Sequence, residues 1–465
     1  MEGMRTESDL LGELEVPSAA YYGVQTQRAI DNFKISNHKL GQYPQFVKAL
    51  GIVKLGAAEA NMEMNILPSP IFEAIKFASK ALIDGKYTDQ FPIDMIQGGA
   101  GTSVNMNANE VIANIALEYL GKKKGDYQFC SPNDHVNLSQ STNDAYPTAL
   151  KIALYDMHLT LLESLKHLQV SFGVKAEEFK SVIKMGRTQL QDAVPMTLGQ
   201  EFGGYANALG KELNSLSFAA MQLLEINMGA TAIGTGLNAL PGYAKLCTAK
   251  IAKLFNEHVR LADNLVEATW DTSAFVAYSS ALKKLSIKLS KICNDLRLLT
   301  SGPRSGLFEI NLPAKQPGSS IMPGKVNPVI PEVVNQVCFK IIGNDTTVSF
   351  AAEAGQLELN VMEPIIGFSL MESIQYLTNA IDTLRESCIE GITANAEHLK
   401  REVQNSIGIV TALNPHIGYK ASTKIAKEAL ETGRSVYVLV LEQGLLSQER
   451  LDEILDPKNM LGPTV

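Results

Sequence analysis

Apolar residues between positions 275 and 299 recur at alternating steps of three and four. The stripe consists of Phe275, Tyr278, Leu282, Leu285, Leu289, Ile292, Leu296 and Leu299. Such a sustained heptad is typical of a long helix in a bundle. Asp271, Thr272 and Ser273 are candidate N-caps and Gly302-Pro303 is a stop signal, so the spacing predicts a helix of about 40 Å at 1.5 Å per residue.

The same periodicity follows Pro147 and predicts a second long helix. Its stripe is formed by Leu150, Leu154, Met157, Leu161, Leu165, Leu168 and Phe172. Further long apolar stretches fit helices over residues 200–228, 332–353 and 364–388. Long amphipathic helices without strand–helix alternation favour a mainly α fold with a central long-helix bundle over a doubly wound sheet. Because one chain does not cover such stripes fully, we expect an oligomer that shares a bundle, with a monomeric helical domain as the alternative.

The distribution of polar loops and glycines divides the chain into three predicted domains. Residues 1–143 are expected to form a mixed, mostly helical N-terminal domain, and residues 144–397 hold the long-helix bundle. After residue 397 the segments are shorter and contain Gly408, Gly418 and Gly433. This change predicts a small C-terminal helical domain over residues 398–465.

The composition is that of a globular protein and excludes several classes of function. The 465 residues are 45% apolar and 19% charged, which excludes disordered and fibrous classes. Lys and Arg total 41 against 49 acidic residues, a net charge of −8, so nucleic acid is not an expected partner. The chain has no leader pattern at its start and no apolar segment of membrane-spanning length, so we expect a cytoplasmic protein without membrane contact.

The cysteines indicate neither a disulfide framework nor a structural zinc site. The five residues are scattered and never form a CxxC spacing, and each is expected to be a small buried hydrophobe. They are Cys130, Cys247, Cys293, Cys338 and Cys388.

One polar segment, GSSIMPGKVNP, combines hydroxyls, a cation and an amide with residues that free or fix the backbone. It consists of Gly318, Ser319, Ser320, Ile321, Met322, Pro323, Gly324, Lys325, Val326, Asn327 and Pro328. The glycines let backbone N–H groups turn inward, and the prolines restrict the loop. Such donors suit a carboxylate that gains negative charge during a reaction. The alternative is an ordinary surface turn.

Four further polar islands interrupt the helical pattern. Gln97–Ser103 (QGGAGTS) lacks a phosphate-loop pattern and is either a donor-rich loop or a flexible turn. Residues 133–144 (NDHVNLSQSTND) end at the second long helix, which puts Ser141, Thr142 and Asn143 at a helix N-terminus suited to an anion. His135 in the same island is expected to be a satisfied polar residue.

The other two islands are 186–195 (GRTQLQDAVP), predicted as a polar turn between long helices, and 229–238 (GATAIGTGLN). Arg187 is more readily a salt-bridge partner than a ligand. The glycine-rich island 229–238 is compatible with a close-packing turn that has no chemistry. Islands at the ends of long helices are suited to assembly of one pocket from several chains.

Four of these segments closely resemble the aspartase/fumarase superfamily, whose members share the GSSxMPxKxNP signature; they are GSSIMPGKVNP, SQSTND, GRTQLQDAVP and GATAIGTGLN. The resemblance covers nearly the full chain. Three details favour the aspartate-deaminating branch over class II fumarase: Ser141-Thr142-Asn143 replaces Ser-Ser-Asn, Gln189 replaces histidine, and the signature continues VIPEVVNQ. The stretch 405–411 (NSIGIVT) is also similar to that branch.

The resemblance implies a three-domain fold and a homotetramer with a 20-helix core whose active sites are each shared by three subunits. It implies reversible conversion of L-aspartate to fumarate and ammonium, with Ser319 as the general base. Lys325, Asn327 and Thr188 are expected to bind the α-carboxylate, and Thr102, Ser141 and Thr142 the β-carboxylate. Asn143, with Thr102, is expected to face the amino group, while Gln189 donates a hydrogen bond but cannot titrate.

Removal of a proton from Cβ would place extra negative charge on the β-carboxylate and give an aci-carboxylate intermediate. Neutral hydrogen-bond donors would stabilise this intermediate more than the substrate, because its oxygens carry more charge. No cofactor is required by this chemistry, although some members of the superfamily are activated by divalent metal such as magnesium. Two other functions stay open from the residues, a fumarate hydratase and a catalytically silent helical scaffold.

Overall fold

In the computed structural model, which describes residues 3–456 and 459, the chain is mainly helical. Residues 1, 2, 457, 458 and 460–465 of the predicted terminal domains lie outside the described residues. The helices are α1 Val24–Asn32, α2 Pro44–Glu63, α3 Ser69–Ile83, α4 Thr102–Tyr119, α5 Thr142–Glu178, α6 Leu198–Ala220, α7 Tyr243–Phe255, α8 Glu267–Trp270, α9 Ser273–Leu299, α10 Val329–Glu353, α11 Glu363–Ser387, α12 Ala396–Asn405, α13 Val410–Ile417, α14 Tyr419–Thr432, α15 Val436–Glu442 and α16 Gln448–Ile454. The strands are β1 Met4–Asp9, β2 Gly12–Pro17, β3 Ile183–Thr188, β4 Gln191–Thr197, β5 Glu225–Ile226, β6 Arg260–Leu261, β7 Ile310–Asn311 and β8 Thr393–Ala394.

The strands form four two-stranded sheets. Strands β1–β2, β3–β4 and β7–β8 pair antiparallel, and the short pair β5–β6 is parallel. Sheets this small do not organise a domain core. The mainly α fold predicted from the periodicity is confirmed.

Five helices are unusually long, with 37 residues in α5, 23 in α6, 27 in α9, 25 in α10 and 25 in α11. Helix α9 begins at Ser273, in the predicted N-cap segment. Leu282, Leu285 and Leu289 of its heptad stripe are buried. The long helices predicted from apolar spacing are therefore confirmed, except that the helix predicted over residues 200–228 ends at Ala220, where a 3-10 turn (Met221–Leu224) and strand β5 follow.

Helix α5 starts before Pro147, which lies inside its second turn. Proline has no N–H, so the carbonyl of Asn143, four residues earlier, loses its usual helical donor. Asn227 replaces that donor, since its Nδ2 donates to the Asn143 carbonyl at 2.9 Å. The helix keeps Pro147 because a side chain from elsewhere in the chain satisfies the freed carbonyl.

The chain divides into two compact units. The first comprises Met1–Glu163, Asn214–Ser286 and Phe339–Thr378, and the second comprises Ser164–Leu213, Ile287–Cys338 and Asn379–Val465. The three-domain division at residues 143 and 397 stays a prediction.

The N-terminal core of the first unit is built around α2, which packs against α3 and α7. Glycines permit this close approach, because a Cβ on Gly56 would lie 2.6 Å from Cγ1 of Ile251, and one on Gly51 would lie 3.0 Å from the carbonyl oxygen of Ser79. Helix α2 is therefore buried on most of its surface, and any polar side chain that points inward from it must find a partner.

The C-terminal helices of the second unit have a hydrophobic core of their own. Its buried members include Val403, Leu413, Ile425 and Leu439, and residues of strand β3 such as Met185 join them. The β3–β4 hairpin is thus anchored at its base in the core of the short C-terminal helices.

All five cysteines are buried and unpaired, as predicted. Among the described residues, no helix combines the length and apolar character that crossing a bilayer requires.

Candidate active site

In the first unit, the segment Ser141–Asn143 forms the N-terminus of α5. The hydroxyl oxygen of Ser141 accepts a hydrogen bond from the Asn143 N–H at 3.2 Å, and the Ser141 N–H donates to Oδ1 of Asp144 at 3.0 Å. Because the Ser141 oxygen is already an acceptor, its proton is left for another partner. The three side chains Ser141, Thr142 and Asn143 are half-buried, which keeps them reachable.

The glycine-rich island 229–238 packs against this N-terminus. The Thr231 N–H donates to Oδ2 of Asp144 at 2.9 Å, and Nδ2 of Asn143 donates to the carbonyl of Ala232 at 2.7 Å. Thr231 and Ala232 have φ values of 42° and 30°, in the left-handed region that side chains seldom adopt. The island therefore orients Asn143 as well as closing a turn.

Thr102 begins α4 directly after Gly101, whose φ is 87°. A Cβ at Gly101 would lie 2.3 Å from Cγ of Tyr146, so only glycine fits there. Thr102 itself is exposed. One turn further, Nδ2 of Asn105 donates to Oγ1 of Thr142 at 3.2 Å, which joins the first turns of α4 and α5. Two helix N-termini in contact favour an anion.

A buried lysine that sequence reasoning missed lies beneath this cluster. Lys54 of α2 is 0% exposed, and its Nζ contacts the side-chain oxygens of Asn105, Asn137 and Gln140 at 2.6, 3.1 and 2.8 Å. Burial lowers the pKa of Lys54 to about 7, and the Asp144 carboxylate opposes that shift. Burial likewise raises the pKa of Asp144 to about 6. The available sequence signal was the position of Lys54 between Val53 and Leu55 in the apolar run of α2.

His135, as predicted, is a satisfied polar residue. Its Nδ1 accepts a hydrogen bond from the Ser131 N–H at 2.8 Å, across the short π-helix Pro132–Val136.

In the second unit, the signature loop folds on itself around Ser319. The hydroxyl oxygen of Ser319 accepts hydrogen bonds from the N–H groups of Ile321 at 3.2 Å and Met322 at 3.1 Å. These donors stabilise negative charge on the oxygen, as an alkoxide requires. Ser319 is half-buried, whereas Ser320 and the following residues through Val326 are exposed.

Gly318 closes the loop. Its N–H donates to the Lys325 carbonyl at 2.7 Å, and its carbonyl accepts from Nδ2 of Asn327 at 2.8 Å. A Cβ on Gly318 would lie 2.6 Å from the Lys325 carbonyl oxygen, so the loop requires glycine here, while Gly324 has a φ of 81°. Lys325 and Asn327 line a cavity of about 470 Å³ together with Arg297 and Asn311.

The island 186–195 is a β-hairpin, so the prediction of a polar turn between long helices is wrong there. Strand β3 ends at Thr188, β4 begins at Gln191, and Gln189 and Leu190 form the tip with φ values of 54° and 62°. Two-residue hairpins of this kind favour Asn-Gly, so the tip is strained. Thr188 and Gln189 are both exposed there.

The base of the hairpin is fixed by charge. Arg187 forms an ion pair with the buried carboxylate of Glu309, as predicted for a salt-bridge residue, and Lys184 contacts the same carboxylate at 2.6 Å. Arg187 therefore positions the tip and is not free to bind substrate.

The structure brings Ser141, Thr142 and Asn143 together with the start of α4, which carries Thr102. It places Ser319, Lys325 and Asn327 in one loop, and Thr188 with Gln189 on one hairpin. The two groups belong to different units, and their convergence in a single site stays a prediction.

Comparisons with known proteins give the family. Residues 12–343 match the family described as lyase, and residues 409–462 match the family described as fumarase C C-terminus. An aspartate ammonia-lyase of Helicobacter pylori is 58% identical over 460 residues, which are 99% of this chain and 98% of that protein.

Two solved structures are also similar over nearly their whole length. A fumarate lyase:delta crystallin of Brucella melitensis, bound to cobalt, has a TM-score of 0.97 and 50% identity over 99% of this chain and 100% of its own. A class II fumarase of Schistosoma mansoni has a TM-score of 0.93 and 36% identity over 98% and 99%. The chain belongs to the aspartase/fumarase superfamily of lyases.

Proposed function

We propose that this chain is an aspartate ammonia-lyase, a carbon–nitrogen lyase that reversibly converts L-aspartate to fumarate and ammonium. The observation that carries the mechanism is the loop geometry, in which two backbone N–H groups point at Oγ of Ser319. The greater similarity to the Helicobacter pylori aspartate ammonia-lyase, at 58% against 36% for the Schistosoma mansoni fumarase, favours ammonia over water as the leaving group.

Ser319 acts as the general base in this mechanism. A serine hydroxyl without assistance does not ionise to an alkoxide near neutral pH. The N–H groups of Ile321 and Met322 lower the free energy of this deprotonation. The alkoxide takes the Cβ proton of aspartate, and the electron pair of the C–H bond moves into the β-carboxylate. The pair then returns to form the C–C double bond as the C–N bond breaks.

The intermediate carries its extra charge on the β-carboxylate oxygens. Thr102, Ser141 and Thr142 supply neutral donors at two helix N-termini, where they stabilise this charge without titrating. Each such donor contributes about 2.7 to 4 kcal/mol in comparable oxyanion sites. Lys325, Asn327 and Thr188 hold the α-carboxylate, and Asn143 and Thr102 face the amino group.

The protonated amino group leaves as neutral ammonia, which then takes up the proton removed from Cβ. A strong general acid is therefore unnecessary, and Gln189 needs only to donate a hydrogen bond. This is why a residue that cannot titrate is acceptable at the hairpin tip.

The protein is proposed to be a cytoplasmic homotetramer with each active site shared by three subunits. Five long helices per chain give the 20-helix core. Large apolar side chains remain exposed on these helices, including Phe218 of α6 at 72%, Phe339 of α10 at 61% and Phe350 of α10 at 72%. Burial of such side chains between subunits would supply the driving force for assembly.

Magnesium activation stays a prediction without an assigned place. Across residues 3–456 and 459, no group of three or more His, Cys, Asp or Glu side chains is disposed to hold a metal ion. No step of the mechanism is routed through one.

The direct test is absorbance of fumarate formed by purified protein from L-aspartate or from L-malate, each with and without magnesium. We expect turnover with L-aspartate and none comparable with L-malate. Preference for L-malate would establish a fumarate hydratase. Absence of turnover with both substrates would favour the alternative of a catalytically silent helical scaffold.

A further inference from the structure

The ammonium of Lys54 is surrounded by oxygens of uncharged amides. Three acceptors lie within 3.1 Å of its Nζ, the side-chain oxygens of Asn105, Asn137 and Gln140. Three acceptors around one nitrogen match the three protons of the ammonium, the form that Lys54 takes below its pKa of about 7. A buried cation without a carboxylate in contact is costly and is retained where it has a use.

Lys54 imposes a direction on the hydrogen bonds above it. An ammonium only donates, so the atom of Asn105 that lies 2.6 Å from Nζ must be Oδ1. The amide of Asn105 therefore presents Nδ2 to Thr142, and Nδ2 donates to Oγ1 at 3.2 Å. The orientation of this amide follows from the lysine and does not depend on a choice between its oxygen and nitrogen.

Asn137 supports the same orientation. Its Nδ2 donates to the Gln140 carbonyl, so its Oδ1 must accept, and it accepts from Lys54, Asn105 and Asn109. Asn105 is 1% exposed and cannot turn to water for other partners. The chain of bonds from Lys54 to Thr142 is thus fixed at every step.

We propose that Lys54 and Asn105 are positioning residues that hold the Thr142 hydroxyl as an obligate hydrogen-bond donor to the bound β-carboxylate. Oγ1 of Thr142 accepts from Asn105, and its single proton is therefore directed elsewhere. A threonine free to rotate would spend part of its time presenting lone pairs to the carboxylate, which repels them. The proposal rests on the proposed function, because it requires a dicarboxylate at the start of α5.

A double-mutant cycle tests it on the purified full-length enzyme with L-aspartate. Asn105→Leu should lower kcat by about tenfold or more, and at most by the roughly 10²- to 10³-fold that follows complete loss of an oxyanion donor. In the Thr142→Val background the same change should lower kcat by less than about twofold. The effects of two substitutions that act through one hydroxyl do not add, and Thr142→Val has already removed that hydroxyl. Equal losses in both backgrounds would overturn the proposal.

Asn105→Asp keeps the experiment informative if Asn105→Leu does not fold. The carboxylate gives Lys54 a charged partner of the same shape, but it only accepts, so Thr142 would have to turn its proton inward. The carboxylate also loses the bond that Nδ2 of Asn105 donates to Oδ1 of Asn137, so we expect a folded protein with a lower melting temperature and a kcat about tenfold or more lower. A kcat within about twofold of the parent would contradict the proposal.

Asn61→Leu is the matched control. Asn61 lies on α2 with Lys54, is 1% exposed, and donates to the Leu138 carbonyl at 2.9 Å in the same loop. Gln140 also donates to that carbonyl, so the loop keeps a partner. Asn61→Leu should leave kcat within about twofold. If the parent enzyme itself does not turn over L-aspartate, the proposed function fails, which is distinct from failure of this cycle.

Discussion

Ser141, Thr142 and Asn143 are half-buried at the first turn of a 37-residue helix, whereas Ser319 and Lys325 lie in a largely exposed loop. The first cluster is tied by hydrogen bonds to α4, to the turn at Ala232 and, through Asn105, to Lys54. Within the part of the chain that the structure describes, the bonds of the loop run between its own residues or to the start of α10.

This difference separates two tasks that the proposed reaction requires. Donors that stabilise developing charge act best when they are already oriented, because reorganisation is then avoided. A loop that carries the base must admit substrate and release product, and segments with few outside contacts are the ones that move. We infer that the fixed cluster supplies the donors to the β-carboxylate, whereas the loop supplies the base together with Lys325 and Asn327 for the α-carboxylate.

The largest effect is expected for the base. Ser319→Ala should lower kcat by about 10²- to 10⁴-fold, the contribution typical of a positioned general base, while fumarate still binds. Ser320→Ala is the matched control in the same loop and should stay within about tenfold of the parent. Steady-state rates of fumarate formation give both values. Turnover of Ser319→Ala within tenfold of the parent would rule out Ser319 as the base.

Removal of one fixed donor should come next. Thr142→Val keeps the shape of the side chain and deletes its hydroxyl, so we expect kcat to fall by about 10²-fold or more. The Michaelis constant should change less, because the donor is worth most when the carboxylate gains charge. A raised Michaelis constant with an unchanged kcat would show that Thr142 contributes to substrate binding alone.

The same substitution at two glycines sharpens the contrast between the regions. Gly101→Ala meets the buried ring of Tyr146 at 2.3 Å with a left-handed backbone and should destabilise the fold by about 2 to 4 kcal/mol. Gly318→Ala meets the Lys325 carbonyl at 2.6 Å in an exposed loop. It should lower kcat by about tenfold through displacement of Ser319 and leave the melting temperature nearly unchanged. Thermal unfolding and steady-state rates are measured on both variants. Similar changes of melting temperature and kcat in the two variants would contradict the predicted difference between the regions.

The smallest effect concerns ionisation inside the first unit. Burial raises the pKa of Glu363 to about 8, partly offset by Lys151. The folded state therefore keeps a proton that the unfolded state loses from about pH 4.5 upward, and stability falls as pH rises toward 8. Glu363→Gln should weaken this fall in melting temperature between pH 5 and pH 8. An unchanged pH profile would show that Glu363 is ionised in the folded protein.

The local pattern of apolar and polar residues was sufficient to predict the long helices and the residues at their N-termini. The heptad from Phe275 to Leu299 repeats often enough for its period to be unambiguous, and it lies within α9. The polar residues before α5 carry an N-cap signature, so Ser141 and Thr142 were placed at a helix N-terminus from sequence.

Contacts between residues that are far apart in the sequence could not be predicted from the spacing of apolar and polar residues. Lys54 and Asn105 are 51 positions apart, and neither has a neighbour in sequence that indicates the other. The β3–β4 hairpin was missed because Gln189 and Leu190 occupy a turn that normally selects Asn and Gly. Its strained tip is held by the charges at Arg187 and Glu309, a long-range cause that spacing does not reveal.

The separate roles of the cluster at the start of α5 and of the signature loop are tested most directly by the dissociation constant of fumarate. It is measured by calorimetry on Ser319→Ala and Thr142→Val side by side. The account predicts a value within about threefold of the parent for Ser319→Ala and about tenfold weaker for Thr142→Val, the loss expected for one hydrogen bond to a charged group. Weaker binding by Ser319→Ala with intact binding by Thr142→Val would contradict it.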